Sequence, residues 1–311
     1  MKQYGFGVDI GGTTVKIGLF DMGGALLEKW EIPTRTQNNG ASILDDITAA
    51  VMGKMEEKGI KKEDVQGIGV GVPGPVGADG TVMGCVNLGW GTFNVEAELY
   101  QKTGLPVKAG NDANVAALGE MWQGGGKGHQ DVVMVTLGTG VGGGIVIGGK
   151  IVAGAHGAGG EIGHIHVKDG EPEACGCGKH GCLEQYTSAN GIVRCALRKL
   201  AKETRETTLR NFDPLTSKDI YDEAKKGDIV ALELVDETCK MLGESIAVIC
   251  NVVDPEVVVI GGGVSRAGTI LTDGIKKYFV KNTFRACEGT DITLALLGND
   301  AGMYGCVRQL F

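Results

Sequence analysis

The chain has 311 residues, of which 42% are hydrophobic and 22% are charged, and its formal net charge is -8. This length favours two domains over one, and the acidic balance argues against nonspecific binding to nucleic acid, which requires a basic surface. An apolar run of 18 residues and a secretory signal pattern are both missing from the sequence, so we expect no membrane span and a cytoplasmic location.

The N-terminal third predicts an antiparallel opening followed by a helix and a buried strand. Turn residues at Gly11-Gly12 and at Asp21–Gly24 separate three short β-branched or apolar segments. Apolar residues at helical spacing then precede a short continuous apolar run that Pro73 ends. The predicted elements are strands at 4–10, 15–20 and 25–32, a helix at 42–58 and a strand at 65–72.

The remaining chain predicts a second strand–turn–strand unit and a long helix. A strand at 107–110 leads through Asn111-Asp112 into a helix that ends near Gln123, and Gly124–Gly126 is a candidate hinge. Further on, we expect a strand at 132–137, a turn at 138–142, a strand at 143–147, a helix around 232–249 that Asp254-Pro255 ends, and a strand at 256–260.

The first glycine-rich turn has the composition of a phosphate site. Two glycines and two threonines can aim several backbone N–H groups and hydroxyls at one point, which suits phosphate oxygens. A carboxylate two residues before the turn could hold Mg²⁺ through water. A plain tight hairpin is the alternative, which these flanking residues make less favourable. The candidate residues are Asp9, Gly11, Gly12, Thr13, Thr14 and Lys16.

A second glycine-rich turn contains Gly138, Thr139 and Gly140, and it lacks the Gly-Lys-Ser/Thr of a P-loop. Two such turns resemble the actin and hexokinase ATPase superfamily, in which a hairpin from each half grips the nucleotide. The resemblance implies an α/β, two-domain actin/hexokinase-like (ribonuclease H-like) fold with an interdomain cleft. It also implies that the adenosine lies against Gly261, Gly262 and Gly263.

Three of the nine cysteines lie within eight residues, at Cys175, Cys177 and Cys182. Glycines between them allow the chain to fold back, as a tetrahedral zinc site requires, but such a site needs a fourth ligand. Three unligated thiols are the alternative. Spacing alone leaves His164 and His166 as candidates for the fourth ligand, whereas His180 lies inside the loop and is poorly placed to close it.

The segment from Gly160 to Glu184 reads Gly-Glu-Ile-Gly-His and then Cys-x-Cys-Gly-x-x-Gly-Cys-Leu-Glu. It resembles the signature of the ROK family (repressors, open-reading-frame kinases), and the resemblance extends from Asp9 to the Leu297–Gly302 segment. In that family the histidine of the pattern and the three cysteines hold the metal. The resemblance therefore implies a Zn²⁺ site formed by His164, Cys175, Cys177 and Cys182.

The same resemblance implies phosphoryl transfer from ATP to a sugar hydroxyl, with Asp112 as the general base. Without it, Asp112 at the start of a helix would be better explained as an N-cap. His164 would hold the metal with one ring nitrogen and a sugar hydroxyl with the other. The implied sugar-binding residues are Asn111, Asp112, Glu161, His164 and Glu184, with Gly74 and Asn87 lining the pocket.

The sugar itself is indicated by three segments, Pro73–Val76, Asp79–Val82 and Asn87–Trp90, which are similar to the bacterial glucokinases of the family. They imply glucose as substrate and glucose 6-phosphate as product. Kinases for fructose, N-acetylmannosamine or N-acetylglucosamine share most of the other motifs and stay open. A sugar-sensing regulator is less favoured, because the residues before Asp9 leave no room for a DNA-binding helix-turn-helix.

From this resemblance we expect an N-terminal α/β domain over residues 1–119, to which a C-terminal helix at 300–311 returns. A larger α/β domain over residues 120–299 would contain the zinc site. ATP, Mg²⁺ and Zn²⁺ are the expected cofactors. Relatives in the family are often dimers or tetramers, so we also expect a homo-oligomer.

Overall fold

A computed structural model describes residues 2–311. The N-terminal part alternates strands and helices and begins with the predicted antiparallel hairpin. Its elements are β1 (Tyr4–Ile10), β2 (Thr14–Asp21), β3 (Leu26–Pro33), α1 (Gln37–Gly40), α2 (Ile43–Lys58), β4 (Val65–Val72), β5 (Thr81–Cys85), β6 (Trp90–Asn94), α3 (Val95–Thr103), β7 (Val107–Asn111) and α4 (Asp112–Gln123).

The C-terminal part starts with a second hairpin and then becomes mostly helical. Its elements are β8 (Val132–Leu137), β9 (Val141–Ile147), β10 (Lys150–Ile151), α5 (Glu184–Thr187), α6 (Ala189–Leu200), α7 (Ser217–Lys226), α8 (Ile229–Val253), β11 (Val257–Gly261), α9 (Thr269–Asn282), β12 (Asp291–Leu294) and α10 (Ala301–Arg308). Across residues 2–311, no helix has both the length and the hydropathy of a membrane span.

The first sheet has the strand order β3-β2-β1-β4-β7. Strand β1 pairs with β2 in antiparallel fashion and with β4 in parallel, and β4 pairs with β7 in parallel. The predicted antiparallel opening is therefore confirmed. Because the carboxyl ends of parallel strands meet at one edge of a sheet, residues that follow β1, β4 and β7 lie close together.

The second sheet has the strand order β10-β9-β8-β11-β12, and β8, β11 and β12 run parallel. The prediction that the turn after β8 extends to Gly142 is wrong, because β9 already begins at Val141. A bond from the Gly138 N–H to the Gly140 carbonyl (3.0 Å) closes the turn within three residues. The chain can therefore resume strand pairing two residues earlier than the glycine run suggests.

Helix α10 packs against α4, β1 and β4, and glycines make this close approach possible. A Cβ at Gly69 in β4 would lie 1.7 Å from the Cys306 carbonyl oxygen, and one at Gly305 would lie 1.6 Å from the Val115 carbonyl oxygen. Only hydrogen fits at such positions, so some of the 54 glycines serve backbone packing and not ligand binding.

The chain folds into two compact units. Unit 1 contains the residues up to Gln130 together with Gly144–Gly160 and Leu296–Phe311, and unit 2 contains Asp131–Gly143 and Glu161–Ala295. The domain boundaries expected from the sequence, after residues 119 and 299, both fall inside unit 1.

Candidate active site and metal cluster

The first glycine-rich turn joins β1 to β2 and places two opposite charges side by side. Asp9 and Lys16 are cross-strand partners in the hairpin, and the Lys16 Nζ also donates to the Asn299 carbonyl (3.1 Å). The Thr34 hydroxyl donates to the Gly11 carbonyl (2.7 Å) and holds one side of the turn. Gly12 has open space where a Cβ would point, so the turn offers accessible backbone to a ligand.

Asp9 is a half-buried carboxylate whose surroundings disfavour its charge. Burial raises the pKa of Asp9 to about 6, against the opposing effect of Lys16, and the nearby Asp112 carboxylate raises it further. Helix α10 approaches closely here, since a Cβ at Gly302 would lie 2.6 Å from the Asp9 Cγ. A cation that binds at Asp9 would relieve the unfavourable charge.

Asp112 lies at the first position of α4, directly after β7. The N-cap is Asn111, whose Oδ1 accepts the N–H groups of Ala113 (3.0 Å) and Asn114 (3.2 Å). Capping is thus performed by Asn111. The Oδ1 of Asp112 accepts from the Asn111 Nδ2 (3.0 Å) and the Ala113 N–H (2.8 Å), so this carboxylate is held in one orientation.

The loop after β4 supplies the other predicted residues of unit 1. Gly74 has φ 138°, and its carbonyl accepts from the Asn111 Nδ2 (3.1 Å). Asn87 is exposed in the turn between β5 and β6, while its neighbour Leu88 is fully buried. Gly74, Asn111 and Asp112 are therefore linked through one amide group.

The second glycine-rich turn lies beside the segment that follows β11. Gly262 has φ 84°, and a Cβ on it would lie 2.4 Å from the Leu137 carbonyl oxygen. Gly263 and Thr139 are both exposed, and Gly263 has no neighbouring atom within 4 Å of a Cβ position. Gly262 therefore packs against the strand end that leads into this turn, and both segments have exposed residues.

The four predicted metal ligands form a cluster in unit 2. One ligand atom each from His164, Cys175, Cys177 and Cys182 lies within 4.8 Å of the other three. The Cys175 Sγ is 3.7 Å from the His164 Nδ1, and the Cys177 Sγ is 3.7 Å from the Cys182 Sγ. Three sulfurs and one imidazole nitrogen are a donor set typical of structural zinc.

The two rival histidines have other hydrogen-bond partners. The His166 Nδ1 lies 3.0 Å from the His180 carbonyl oxygen, and its Nε2 lies 3.0 Å from the Asp169 Oδ1. The hydrogen bond to Asp169 raises the pKa of His166. The His180 Nδ1 contacts the Glu171 carbonyl (2.9 Å). Three-dimensional geometry thus favours His164, a choice that spacing along the sequence left open.

The ring of His164 faces the sulfur cluster on one side and a carboxylate on the other. Its Nδ1 lies near Cys175, and its Nε2 is 3.8 Å from the Glu161 Oε2. Both side chains are exposed at this point. The arrangement is compatible with one ring nitrogen on a metal and the other at a sugar hydroxyl.

Sequence reasoning missed the residue that anchors the loop between His164 and Cys175. Glu171 is buried, and it accepts two bonds from the Arg198 guanidinium (2.8 and 2.9 Å) and one from the Tyr186 hydroxyl. The Arg198 guanidinium holds the pKa of Glu171 well below its usual range. An acidic residue between two ligand segments gives no signal in one sequence, because its partner lies 27 residues away.

Comparison with known proteins agrees with this geometry over nearly the whole chain. The chain is 43% identical to a glucokinase of Halalkalibacterium halodurans over 96% of its own length and 92% of that protein. It is 33% identical to an N-acetylgalactosamine kinase of Shewanella over 96% of its length and 94% of that protein.

A solved structure agrees as well. A ROK family glucokinase from Streptomyces griseus, in complex with glucose and AMPPNP, superposes with a TM-score of 0.75 at 37% identity and 98% coverage of both chains. The family model described as ROK family matches residues 5–309. The chain belongs to the ROK family.

Proposed function

We propose that this protein transfers the terminal phosphoryl group of ATP to glucose and forms glucose 6-phosphate. The observation that carries the proposal is the juxtaposition of Asp9 and Asp112 at one sheet edge. It occurs in a chain that aligns over 98% of a ROK glucokinase solved with glucose and AMPPNP. Phosphoryl transfer to a hydroxyl needs a base for the acceptor and a site for the charged phosphates.

Asp112 would act as the general base. The bonds that its Oδ1 accepts from Asn111 and from the Ala113 N–H stabilise the ionised carboxylate and fix its direction. A base must be ionised and must lie within hydrogen-bond reach of the hydroxyl that it deprotonates. Its place at the amino end of α4 also favours negative charge.

The nucleotide would be bound mainly by backbone groups of the glycine-rich segments and by a small number of charged side chains. Asp9 would hold Mg²⁺ through water, with Gly11, Gly12, Thr13, Thr14 and Lys16 around the phosphates. Mg²⁺ supplies charge neutralisation at the phosphates when it is bound. In unit 2, the turn of Gly138, Thr139 and Gly140 would contact the phosphates, and Gly261, Gly262 and Gly263 would contact the adenosine.

The sugar would be recognised by paired hydrogen bonds from carboxylates, amides and imidazole. The proposed residues are Gly74, Asn87, Asn111 and Asp112 in unit 1 and Glu161, His164 and Glu184 in unit 2. The contact of the Asn111 amide with both Gly74 and Asp112 supports a shared role for these three residues.

We also propose one Zn²⁺ per chain, held by His164, Cys175, Cys177 and Cys182. The mutual distances of the four ligand atoms and the other engagements of His166 and His180 support this set. Burial raises the pKa of Cys182 to about 12, so its ionisation calls for a positive charge beside it. Zinc on Nδ1 would leave the Nε2 of His164 to face the sugar.

A panel of hexoses with coupled detection of ADP tests the proposal. We expect glucose to give the highest kcat/KM, with fructose, N-acetylmannosamine, N-acetylglucosamine and N-acetylgalactosamine lower. A higher kcat/KM for any of these would move the assignment to another hexose. Sugar binding by calorimetry without ADP formation for every sugar would favour a regulator over a kinase.

A further inference from the structure

The second glycine-rich turn is held at both ends by one short segment of the chain. The Val141 N–H donates to the Glu184 Oε2 (3.0 Å), and the Ala189 N–H donates to the Gly138 carbonyl (2.8 Å). Glu184 is the first residue of α5, and Ala189 is the first residue of α6. The segment 184–189 therefore fixes the turn from outside its own hairpin.

The absence of a side chain at Gly140 is required by this contact. A Cβ at Gly140 would lie 2.2 Å from the Glu184 Oε2, which is far inside van der Waals contact. At Gly138 the nearest atom would be 4.0 Å from a Cβ. The two glycines thus have different surroundings: the lack of a side chain at Gly140 makes room for the Glu184 carboxylate, whereas the space beside Gly138 is open.

The other oxygen of the same carboxylate points toward the cluster of ligand residues. The Glu184 Oε1 is 3.6 Å from the Cys175 Sγ, which in turn is 3.7 Å from the His164 Nδ1. The Leu183 N–H, next to Glu184, donates to the Ile165 carbonyl (2.8 Å). Glu184 therefore stands between the turn and the chain that carries His164.

We infer that Glu184 is a positioning residue for the nucleotide turn, in addition to its proposed contact with sugar. This inference rests on the proposed function, specifically on the turn 138–140 as a phosphate site. By accepting the Val141 N–H, the carboxylate orients that peptide and leaves the N–H groups of Thr139 and Gly140 for phosphate. Its negative charge opposes phosphate binding, so the benefit comes from geometry and not from charge.

Two substitutions of nearly equal size separate geometry from charge. Glu184→Gln keeps an oxygen that can accept the Val141 N–H and removes the charge. Glu184→Met introduces a side chain of similar length that has no acceptor of comparable strength, so it leaves the Val141 N–H unpaired. Hydrogen bonds to charged groups have net strengths that correspond to roughly tenfold or more in an equilibrium constant.

The measurement is the Kd of AMPPNP with Mg²⁺ by calorimetry, without sugar, on the full chain. We expect Glu184→Met to weaken AMPPNP binding about tenfold. The Glu184→Gln variant should bind AMPPNP as tightly as the unmodified protein or more tightly. Glu161→Met is the matched control, since Glu161 is exposed and contacts His164 and not the turn. It should leave the AMPPNP Kd unchanged while it raises the KM for glucose.

The inference is overturned if Glu184→Met, with an unchanged circular dichroism spectrum, binds AMPPNP within about twofold of the unmodified protein. It is also overturned if Glu184→Gln weakens AMPPNP as much as Glu184→Met, because charge and not the bond to Val141 would then matter. Gly138→Val distinguishes failure of this inference from failure of the proposed phosphate site. If it weakens AMPPNP and Glu184→Met does not, only this inference fails; if neither does, the phosphate site at the turn fails as well.

Discussion

The charged residues beside the two glycine-rich turns come from different parts of the sequence. The turn between β1 and β2 has Asp9 and Lys16 in its own strands, paired across the hairpin. Neither strand beside the turn between β8 and β9 contains a charged residue, and the carboxylate of that turn, Glu184, comes from 43 residues further along the chain than Val141. A pattern read along the sequence reveals the first arrangement, whereas only the fold reveals the second.

This difference suggests different roles for the charged residues at the two turns. Charge built into a hairpin is close to the ligand and can hold a cation or neutralise phosphate. A carboxylate brought in from α5 acts on the backbone and links the turn to neighbouring elements. Substitutions near the first turn should therefore alter chemistry and ionisation, and those near the second should alter binding and order.

Asp112→Asn should have the largest effect, because it removes the proposed base from the edge that carries Asp9. General-base catalysis is typically worth about 10² to 10⁴-fold in rate, and we expect kcat to fall within that range. Asparagine can keep the Oδ1 bonds to Asn111 and Ala113, so the fold and the glucose Kd should persist. Turnover close to that of the unmodified protein would show that the base is a different residue.

Cys177→Ser should lower metal content, melting temperature and glucose affinity together. Even changes in outer-shell partners cost about 10- to 100-fold in metal affinity, and loss of a thiolate ligand should cost more. Cys177 is exposed and shares the proposed metal site with His164, so weaker glucose binding would be transmitted through the metal. Metal analysis, thermal unfolding and calorimetry on the same preparation provide the three readouts.

His166→Ala is the matched control for the zinc site, since His166 bonds to His180 and Asp169 outside the cluster. It should retain about one zinc per chain, whereas His164→Ala should not. The reverse result, with zinc kept in His164→Ala and lost in His166→Ala, would contradict the ligand set and the proposed link between metal and sugar.

Gly138→Val should weaken ATP binding and leave the fold intact. The position has room for a Cβ, because the nearest atom would be 4.0 Å away. A branched side chain would nevertheless keep phosphate oxygens from the backbone, so we expect the nucleotide Kd to rise about 10- to 100-fold through lost charge-assisted hydrogen bonds. An unchanged nucleotide Kd in the folded variant would exclude this turn as the phosphate site.

Local patterns predict much of the fold. β1 and β4 have the predicted bounds, and α4 ends at Gln123 as expected, because alternating or continuous apolar runs meet glycine or proline at their ends. The β5–β6 hairpin gives no such signal. Its strands have five residues each and mix exposed with buried positions, so no period stands out.

The site is predictable only where it lies in one stretch of chain. Asp9, Asn111-Asp112 and the three cysteines stand in compact motifs. The bond from Val141 to Glu184, the approach of Gly302 to Asp9 and the ion pair of Glu171 with Arg198 join residues far apart in sequence. Such contacts depend on tertiary packing, which a single sequence does not report.

The charge within the first turn should affect stability as well as rate. Burial raises the pKa of Asp9 to about 6, above its value in an unfolded chain. Above pH 6 the folded protein therefore carries an ionised carboxylate where burial favours a neutral one. Asp9→Asn removes this cost, so it should raise the melting temperature while it lowers ATP-dependent turnover.

The gain in stability from Asp9→Asn should depend on pH. A raised pKa means that stability from protonated Asp9 is present below about pH 4 and is lost as the pH rises to about 6. The advantage of Asp9→Asn should thus be absent near pH 4, grow up to pH 6 and stay constant above it. Its size should be on the order of 2 kcal/mol after allowance for partial solvent exposure.

Asp273→Asn is the control, since Asp273 is an exposed carboxylate on α9. Denaturant unfolding at pH 4, 5, 6 and 7.5 for both variants measures the free energy of unfolding directly. An equal gain at every pH would mean that Asp9→Asn acts through packing against Gly302 and not through charge. No gain at pH 7.5 would contradict the raised pKa of Asp9, because that value already includes the opposing effect of Lys16.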